Sequence, residues 1–317
     1  MNNFADNLIS QIKEKKSIIC IGLDPRLPSK EEKNSIPQFL IDETKDNNEA
    51  IFEFNKRIID ATCEFTPIYK PNIAFYEQYY ALSALKDTIN YIKKNDSLSI
   101  LDAKRGDIGS TSKAYARDLF ENYKADAITI NSYFGTDGVE PFLSYKNKGF
   151  FTQVKNSNPS SAEFQDLFSV RLEDIKNDQI SVKIEDLKDK SVILERNFVQ
   201  MARLVKEWGR KLIGSNGYSS FGAVVGATFP EQMKSIRKIL DKCFLLIPGY
   251  GAQGATAQDI INGINEDGLG AIVNSSRGII FAYQTKPYSV KYPANDFEKA
   301  ASQAASDMRN ELNEALK

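Results

Sequence analysis

Eight short apolar segments recur along this chain, and helix-like patterns separate most of them. Each segment is too short to be a buried helix, so each is predicted to be a strand. The predicted strands cover residues 17–24, 66–72, 98–104, 127–132, 149–155, 221–227, 243–248 and 270–275. The predicted helices between them cover residues 50–64, 75–95, 110–123, 196–211, 230–240 and 255–266. Strands that alternate with helices predict a parallel sheet.

Eight strand–helix units in one chain favour a closed TIM barrel, (β/α)8, over an open doubly wound sheet. A dinucleotide-binding fold is further disfavoured because no Gly-x-Gly-x-x-Gly follows the first predicted strand. Amphipathic patterns predict an additional helix over 1–16 and a closing helix over 296–316. We therefore expect a single α/β TIM-barrel domain over residues 1–317, with loop insertions at about 30–48 and 160–195.

Charge and hydropathy exclude several classes of partner. The net charge is −1 and the basic residues are dispersed, so nucleic acid is not expected as a ligand. No apolar run approaches 18 residues and the start has no signal-peptide pattern, so neither a membrane partner nor secretion is expected. Cys20, Cys63 and Cys243 are far apart and are expected to be reduced thiols, which is typical of a cytoplasmic protein.

The chain contains no histidine. Histidine is the commonest acid–base group and metal ligand, so Ser-His-Asp, Cys-His and histidine–zinc mechanisms are excluded. Any acid–base chemistry must use Lys, Asp, Glu, Tyr or Cys.

The most informative motif is Asp102-x-Lys104-x-x-Asp107 at the end of the third predicted strand. Alternate side chains of a strand share a face, so Asp102 and Lys104 are predicted to point the same way, with Asp107 just beyond. Burying charges is costly unless they pair or perform chemistry. Taken alone, such a motif is more often a structural ion pair, and the rest of the chain decides between the two interpretations.

Polar residues also lie at or just beyond the ends of the other predicted strands, where the active site of such a barrel lies. These residues are Asp24, Lys70, Asn72, Asn131, Ser132, Lys155, Asn156 and Ser157. A single polar residue after a strand carries little information. Charges that converge on one rim from several strands are harder to explain as solvated surface.

The loops after the last two predicted strands have the composition of a phosphate site. Gly249, Gly251 and Gly254 allow close approach of the backbone to an anion, and Gln253 supplies an amide donor. Arg277 can bind phosphate oxygens with two hydrogen bonds. Because these loops are the usual phosphate site of TIM barrels, a phosphorylated small molecule is favoured over glycine turns beside a surface arginine.

With these motifs the chain resembles the orotidine 5′-monophosphate (OMP) decarboxylase family in its longer form, over essentially the whole barrel. The matching segments are Gly22-Leu23-Asp24-Pro25, Lys70-Pro71-Asn72, Asp102-x-Lys104-x-x-Asp107-Ile108-x-x-Thr111, Val225-Gly226-Ala227-Thr228, Pro248-Gly249-x-Gly251-Ala252-Gln253 and Arg277. The resemblance implies conversion of OMP to UMP and CO2 in pyrimidine biosynthesis, without a metal or any other cofactor. Residues 160–195 are the least familiar part.

The resemblance also implies catalytic roles. Lys104 is expected to protonate C6 of the pyrimidine as CO2 leaves, and Asp102 to lie beside the substrate carboxylate. Lys70 and Asp107 are expected to complete an alternating Lys-Asp-Lys-Asp array. Asp107, Ile108 and Thr111 are expected to reach into the active site of a partner subunit, which implies a homodimer. A monomer with Asp107 in its own site is the alternative.

Substrate contacts follow from the same resemblance. Asp24 and Lys70 are expected to hold the ribose hydroxyls, and Ser157 the pyrimidine. Gln253 and Arg277 are expected to hold the phosphate, with Asn72 near the ring.

The chemistry is consistent with these residues. Decarboxylation leaves a carbanion at a vinylic carbon, and the chain has no thiamine or pyridoxal motif to delocalise it. The protein must therefore use preorganised charges. The ammonium of Lys104 opposes the developing charge and can deliver a proton, while Asp102 crowds the substrate carboxylate. Binding energy from the remote phosphate, at Arg277, can support both effects.

Three other functions remain open from the residues. A magnesium-dependent sugar-phosphate decarboxylase or aldolase shares the Asp-x-Lys-x-x-Asp motif, although Lys70 and Ser157 favour a nucleotide substrate. A Schiff-base aldolase using Lys104 or Lys155 is disfavoured because a lysine between carboxylates stays protonated. A non-catalytic nucleotide-binding barrel is disfavoured by the intact charged motif.

Overall fold

The structure is a computed structural model that describes residues 3–169, 194–251 and 254–317. Its strands are β1 (Ile19–Leu23), β2 (Ile68–Pro71), β3 (Leu98–Arg105), β4 (Ala127–Ile130), β5 (Gly149–Lys155), β6 (Phe168–Ser169), β7 (Glu195–Arg196), β8 (Ser219–Val225), β9 (Cys243–Pro248) and β10 (Ala271–Ser275). Eight of them form a closed parallel barrel in the order β1-β2-β3-β4-β5-β8-β9-β10. The predicted TIM-barrel fold is confirmed, and each of the eight predicted strands corresponds to a barrel strand.

Helices connect the barrel strands. They are α1 (Phe4–Lys15), α2 (Gln38–Glu43), α3 (Asn47–Thr62), α4 (Ala74–Glu77), α5 (Leu82–Lys94), α6 (Gly109–Arg117), α7 (Thr136–Leu143), α8 (Ala162–Gln165), α9 (Asn197–Gly209), α10 (Pro230–Ile239), α11 (Ala257–Ile261), α12 (Arg277–Ile280), α13 (Tyr288–Lys291) and α14 (Phe297–Ala315). The longer helices pack their apolar faces against the strands, and helices and strands share one core. No helix among the described residues is long and apolar enough to cross a membrane.

Several helix predictions were wrong in extent. Residues 75–95 form two helices, α4 and α5, because Tyr80 has a φ of 53°, a left-handed conformation that interrupts an α-helix. The helix predicted over 255–266 ends at Ile261, and the one predicted over 110–123 continues beyond Arg117 as a π-helical turn. Helix α7 was not predicted, because Gly138 and Pro141 weaken its helical pattern.

Of the two segments predicted to be insertions, the structure describes all of the first and only the ends of the second. In the first, α2 buries Leu40, and Ile36 pairs its backbone N–H with the carbonyl of Arg26. Only the ends of the second lie within the described residues, and there β6 and β7 pair antiparallel. The part of that prediction covering 170–193 lies outside the described residues.

Helix α1 lies at the N-terminal ends of the strands, opposite the rim where polar residues converge. Phe4 packs edge-on against Phe151 of β5, and their ring centroids are 6.1 Å apart. The carboxylate of Asp6 accepts hydrogen bonds of 2.9 and 2.8 Å from the backbone N–H groups of Ser215 and Asn216, just before β8. This end of the barrel is therefore closed by packing and by a buried carboxylate.

The three cysteines are free. Cys20 and Cys243 are buried in β1 and β9, as their apolar surroundings predict, and Cys63 is half-buried after α3. Reduced thiols were expected, and no disulfide joins these three residues.

Candidate active site

A buried carboxylate lies between two ammonium groups at the C-terminal ends of β2 and β3. Lys70 Nζ is 3.1 Å from Asp102 Oδ2, and Lys104 Nζ is 2.6 Å from Asp102 Oδ1. The side chains of Lys70 and Asp102 are less than a tenth exposed, whereas that of Lys104 is 51% exposed. The predicted shared face of Asp102 and Lys104 is therefore present, and Lys104 is the member of the array that solvent and ligand can reach.

The charges of this array are stabilised by one another. Burial would raise the pKa of Asp102, but the ammonium groups of Lys70 and Lys104 hold it well below its usual range. Burial would likewise lower the pKa of Lys70, but the carboxylates of Asp102 and Asp24 raise it above its ordinary value. At neutral pH Asp102 is therefore ionised and Lys70 is protonated.

The backbone of Lys104 is strained. Its φ is 48°, in the left-handed region that non-glycine residues rarely adopt. The register between β3 and β4 shifts between Leu101 and Arg105, so the strand is irregular around Lys104. Such strain costs about 1–3 kcal/mol and concentrates at functional sites. The strained backbone therefore belongs to the residue whose Nζ contacts Asp102.

Thr129 of β4 completes the array and was not predicted from the sequence. Its hydroxyl donates to Asp102 Oδ1 at 2.7 Å and accepts from the backbone N–H of Lys104 at 3.0 Å. In the sequence, Thr129 stands out only as a polar residue within the apolar pattern of β4. Threonine is common in strands, so this pattern alone does not indicate a site residue.

These groups line a cavity of about 810 Å³ at the C-terminal ends of the strands. Six residues predicted for the site line it, namely Asp24, Lys70, Asp102, Lys104, Ser157 and Arg277. Four other predicted residues are not among the described residues that line it, namely Asn72, Asp107, Ile108 and Thr111. The remaining prediction, Gln253, lies outside the described residues.

Three of the four outlying residues are on or near the surface. Asp107 is half-buried directly after β3, and Ile108 and Thr111 are exposed at the start of α6. The Asp107 carboxylate accepts a hydrogen bond of 2.7 Å from the backbone N–H of Ile108, and no side chain among the described residues bonds to it. The amide oxygen of Asn72 instead accepts a hydrogen bond of 3.2 Å from the backbone N–H of Ala74, the first residue of α4.

Buried polar atoms without partners identify further cavity residues. Asp24 Oδ1, Arg26 Nε and Gln153 Nε2 are buried and have no hydrogen-bond partner among the described residues, although all three side chains line the cavity. Buried polar atoms are usually hydrogen-bonded, so these three atoms are available to bind a polar ligand in the cavity. The sequence analysis included Asp24 but missed Arg26, whose guanidinium pairs with Glu32 at 2.8 Å.

Glycine-rich backbone and an arginine meet at the ends of β9 and β10. Gly249 and Gly251 have φ values of 104° and 67°, which glycine adopts readily because it lacks a Cβ. Arg277 and Ser276 follow β10 and line the cavity together with Gly249 and Tyr250. The guanidinium of Arg277 therefore supplies a positive charge at the position where TIM barrels bind phosphate.

The fold and the site together define a class of protein: a TIM-barrel enzyme with a Lys-Asp-Lys array and a cationic cavity suited to a phosphorylated ligand. Comparison with known families specifies it further. The model of the orotidine 5′-phosphate decarboxylase / HUMPS family matches residues 17–288. The chain belongs to this family.

Individual relatives agree with this assignment. The chain is 36% identical over 340 residues to the orotidine 5′-phosphate decarboxylase of Caldicellulosiruptor saccharolyticus, covering 100% of both chains. It is 39% identical to the enzyme of the same name from Petrotoga mobilis, covering 97% of each. The structure of Leishmania donovani OMP decarboxylase matches with a TM-score of 0.72 at 28% identity, covering 100% of this chain and 99% of that one.

Proposed function

We propose that this protein decarboxylates orotidine 5′-monophosphate to UMP and CO2. The observation that carries the proposal is the Lys70–Asp102–Lys104 array, with its buried carboxylate and accessible ammonium, inside the cavity. Curated relatives that cover the full chain carry the name of this activity. The sugar-phosphate activities considered from the sequence depend on magnesium. They fit this array less well, because its carboxylate, Asp102, is already paired with two lysines.

Substrate binding uses the remaining cavity residues. Arg277 binds the phosphate together with Gln253, and Asp24 accepts hydrogen bonds from the ribose through its buried, unpartnered Oδ1. Lys70 contacts the ribose, and Ser157 the pyrimidine. Asn72 lies near the ring and contributes its amide Nδ2, because its amide oxygen already accepts from Ala74 N.

The reaction breaks the bond between C6 and the carboxylate carbon, and the bonding electron pair remains on C6. Lys104 Nζ stabilises this charge and then donates its proton to C6, forming the C–H bond of UMP. Asp102 keeps Lys104 oriented and places a negative charge beside the substrate carboxylate. Because Lys104 is half exposed, its neutral amine regains a proton from water. No step requires a metal or another cofactor.

The functional unit in this proposal is a cytoplasmic homodimer. Asp107 is half-buried, Ile108 and Thr111 are exposed, and none of the three lines the cavity within the described residues. In the proposed dimer they contact the site of the second subunit. A two-fold dimer would then hold two equivalent sites, each completed by the partner.

The test is the fall in ultraviolet absorbance as orotidine monophosphate becomes UMP, measured in EDTA without added metal. Lys104→Ala should lower kcat by about 10³-fold or more, because it removes the proton donor and the opposing charge. Lys94→Ala, at an exposed lysine of α5, is the control and should match the wild type. A folded wild type that is inactive in EDTA but active on sugar phosphates with magnesium would disprove the proposal.

A further inference from the structure

Lys155, the last residue of β5, is completely buried and does not line the cavity within the described residues. Its Nζ lies 2.9 Å from Asp166 Oδ1 and 3.1 Å from Ser161 Oγ, and 4.3 Å from the ring centre of Phe229. A buried lysine is costly unless its charge is paired and its donors are used. All of these partners lie in loops at the C-terminal ends of the strands, and Asp166 comes from the beginning of the 160–195 insertion.

The same contacts hold the backbone of the next residue, Asn156. The N–H of Asn156 donates to Gln165 Oε1 at 2.9 Å, and its carbonyl accepts from Ser161 Oγ at 3.2 Å. Ser161 and Asp166 are in turn bound by Lys155. Both polar backbone groups of Asn156 are therefore bonded to side chains, one from Ser161, which Lys155 binds, and one from Gln165, the residue before Asp166.

Ser157 is confined on its other side by the loop after β8. The Thr228 hydroxyl donates to the Ser157 carbonyl at 3.1 Å. Gly226 lies so close that a Cβ added there would be 2.7 Å from Ser157 N. The backbone N–H of Gly226 also donates to the Lys155 carbonyl at 2.7 Å. The main chain of Ser157 thus has little freedom as long as the Lys155 contacts remain.

We infer that Lys155 and Asp166 form a positioning pair that holds the Asn156–Ser157 backbone at the end of the cavity that receives the substrate base. Neither side chain contacts substrate, and both act through Ser157. This inference rests on the proposed function, in which Ser157 contacts the pyrimidine. It gives the first part of the 160–195 insertion a role, since Gln165 and Asp166 hold this part of the site in place.

The experiment compares binding of UMP with binding of ribose 5-phosphate, which lacks the base, by calorimetry. Lys155→Met should weaken UMP binding about 10-fold or more and leave ribose 5-phosphate binding within about 2-fold, because only the base contact is displaced. KM for orotidine monophosphate should rise in parallel, with kcat changed by less than about 3-fold, since contacts shared by ground and transition states affect mainly KM. Asp166→Asn should act in the same direction, and the double variant should be less than additive because the two residues form one pair.

Lys206→Met is the matched control, because it breaks an exposed ion pair of similar length, 2.8 Å to Asp241. It should bind both ligands like the wild type. If Lys155→Met does not fold, Asp166→Asn decides the question, since it keeps the size of the side chain. Folded variants that bind UMP normally, or that lose both ligands equally, overturn the inference. A wild type that binds ribose 5-phosphate but not UMP instead overturns the proposed function.

Discussion

Thr129 Oγ1 donates a hydrogen bond of 2.7 Å to Asp102 Oδ1, the same oxygen that lies 2.6 Å from Lys104 Nζ. The hydroxyl also accepts a hydrogen bond from the backbone N–H of Lys104. One side chain of β4 therefore fixes the central carboxylate and the strained backbone of the adjacent lysine. It links two neighbouring barrel strands at the point where the proposed chemistry occurs.

Replacing Thr129 with valine removes both bonds and keeps the shape of the side chain. A hydrogen bond to a charged group is worth about 1.5–3 kcal/mol, so kcat should fall about 10- to 100-fold if the bond positions the array. Thr152→Val is the control, because Thr152 is equally buried in β5 and does not line the cavity within the described residues. Equal kcat values for the two variants, measured by the absorbance assay, would show that Thr129 has no such role.

Arg277 should act through substrate phosphate alone. Arg277→Ala removes a charge-assisted contact worth about 1.5–3 kcal/mol, so kcat/KM for orotidine monophosphate should fall about 10- to 100-fold. For orotidine, which lacks the phosphate, kcat/KM should be the same in variant and wild type. A matching loss with both substrates would place Arg277 elsewhere in the mechanism.

The shared site of the proposed homodimer can be tested by mixing two inactive variants. If Asp107 acts in the partner's site, a heterodimer of Lys104→Met and Asp107→Ala has one site with both residues intact. Random reassociation of equal amounts should then restore about a quarter of wild-type activity, since half of the dimers are mixed and each has one intact site. Activity that stays at the level of the parent variants after confirmed exchange of subunits would mean that Asp107 serves its own subunit.

Much of the fold could be predicted because its signals are local. The observed bounds of β5 and β9 match the predicted segments 149–155 and 243–248, since both are apolar runs between polar loops. The pairing of Asp102 with Lys104 was also predicted, from the alternation of side chains along a strand, although the left-handed backbone of Lys104 was not. The break at Tyr80 was not, because no glycine or proline marks its left-handed backbone.

The remaining site residues depend on contacts distant in sequence. Thr129 acts on the site because the pairing of β3 with β4 brings it beside Asp102, 27 residues earlier in the chain. Arg26 lines the cavity, and its guanidinium forms an ion pair with Glu32 of the following loop. A sequence pattern shows which residues lie at the strand ends, but not which of them converge on the same atom.

The carboxylate of Asp6 makes the free energy of unfolding depend on pH in the acid range. Burial would raise its pKa, but hydrogen bonds from Asn216 and Ser215 lower it to about 2 from an ordinary value of 3.8. A lowered pKa in the folded state means that the ionised form stabilises the fold above pH 3.8, and this stabilisation is lost as pH falls through about 2. Such a shift corresponds to about 2 kcal/mol at neutral pH.

Asp6→Asn should therefore reduce the free energy of unfolding by about 2 kcal/mol at pH 7, and the difference from wild type should shrink below pH 3.8. This difference is measured by urea unfolding at pH 7 and at pH 3, followed by the fluorescence of Trp208. Asp87→Asn, at an exposed aspartate of α5, should have little effect at either pH. A difference between Asp6→Asn and wild type that is the same at pH 7 and pH 3 would mean that packing, rather than the charge of Asp6, holds α1 against the barrel.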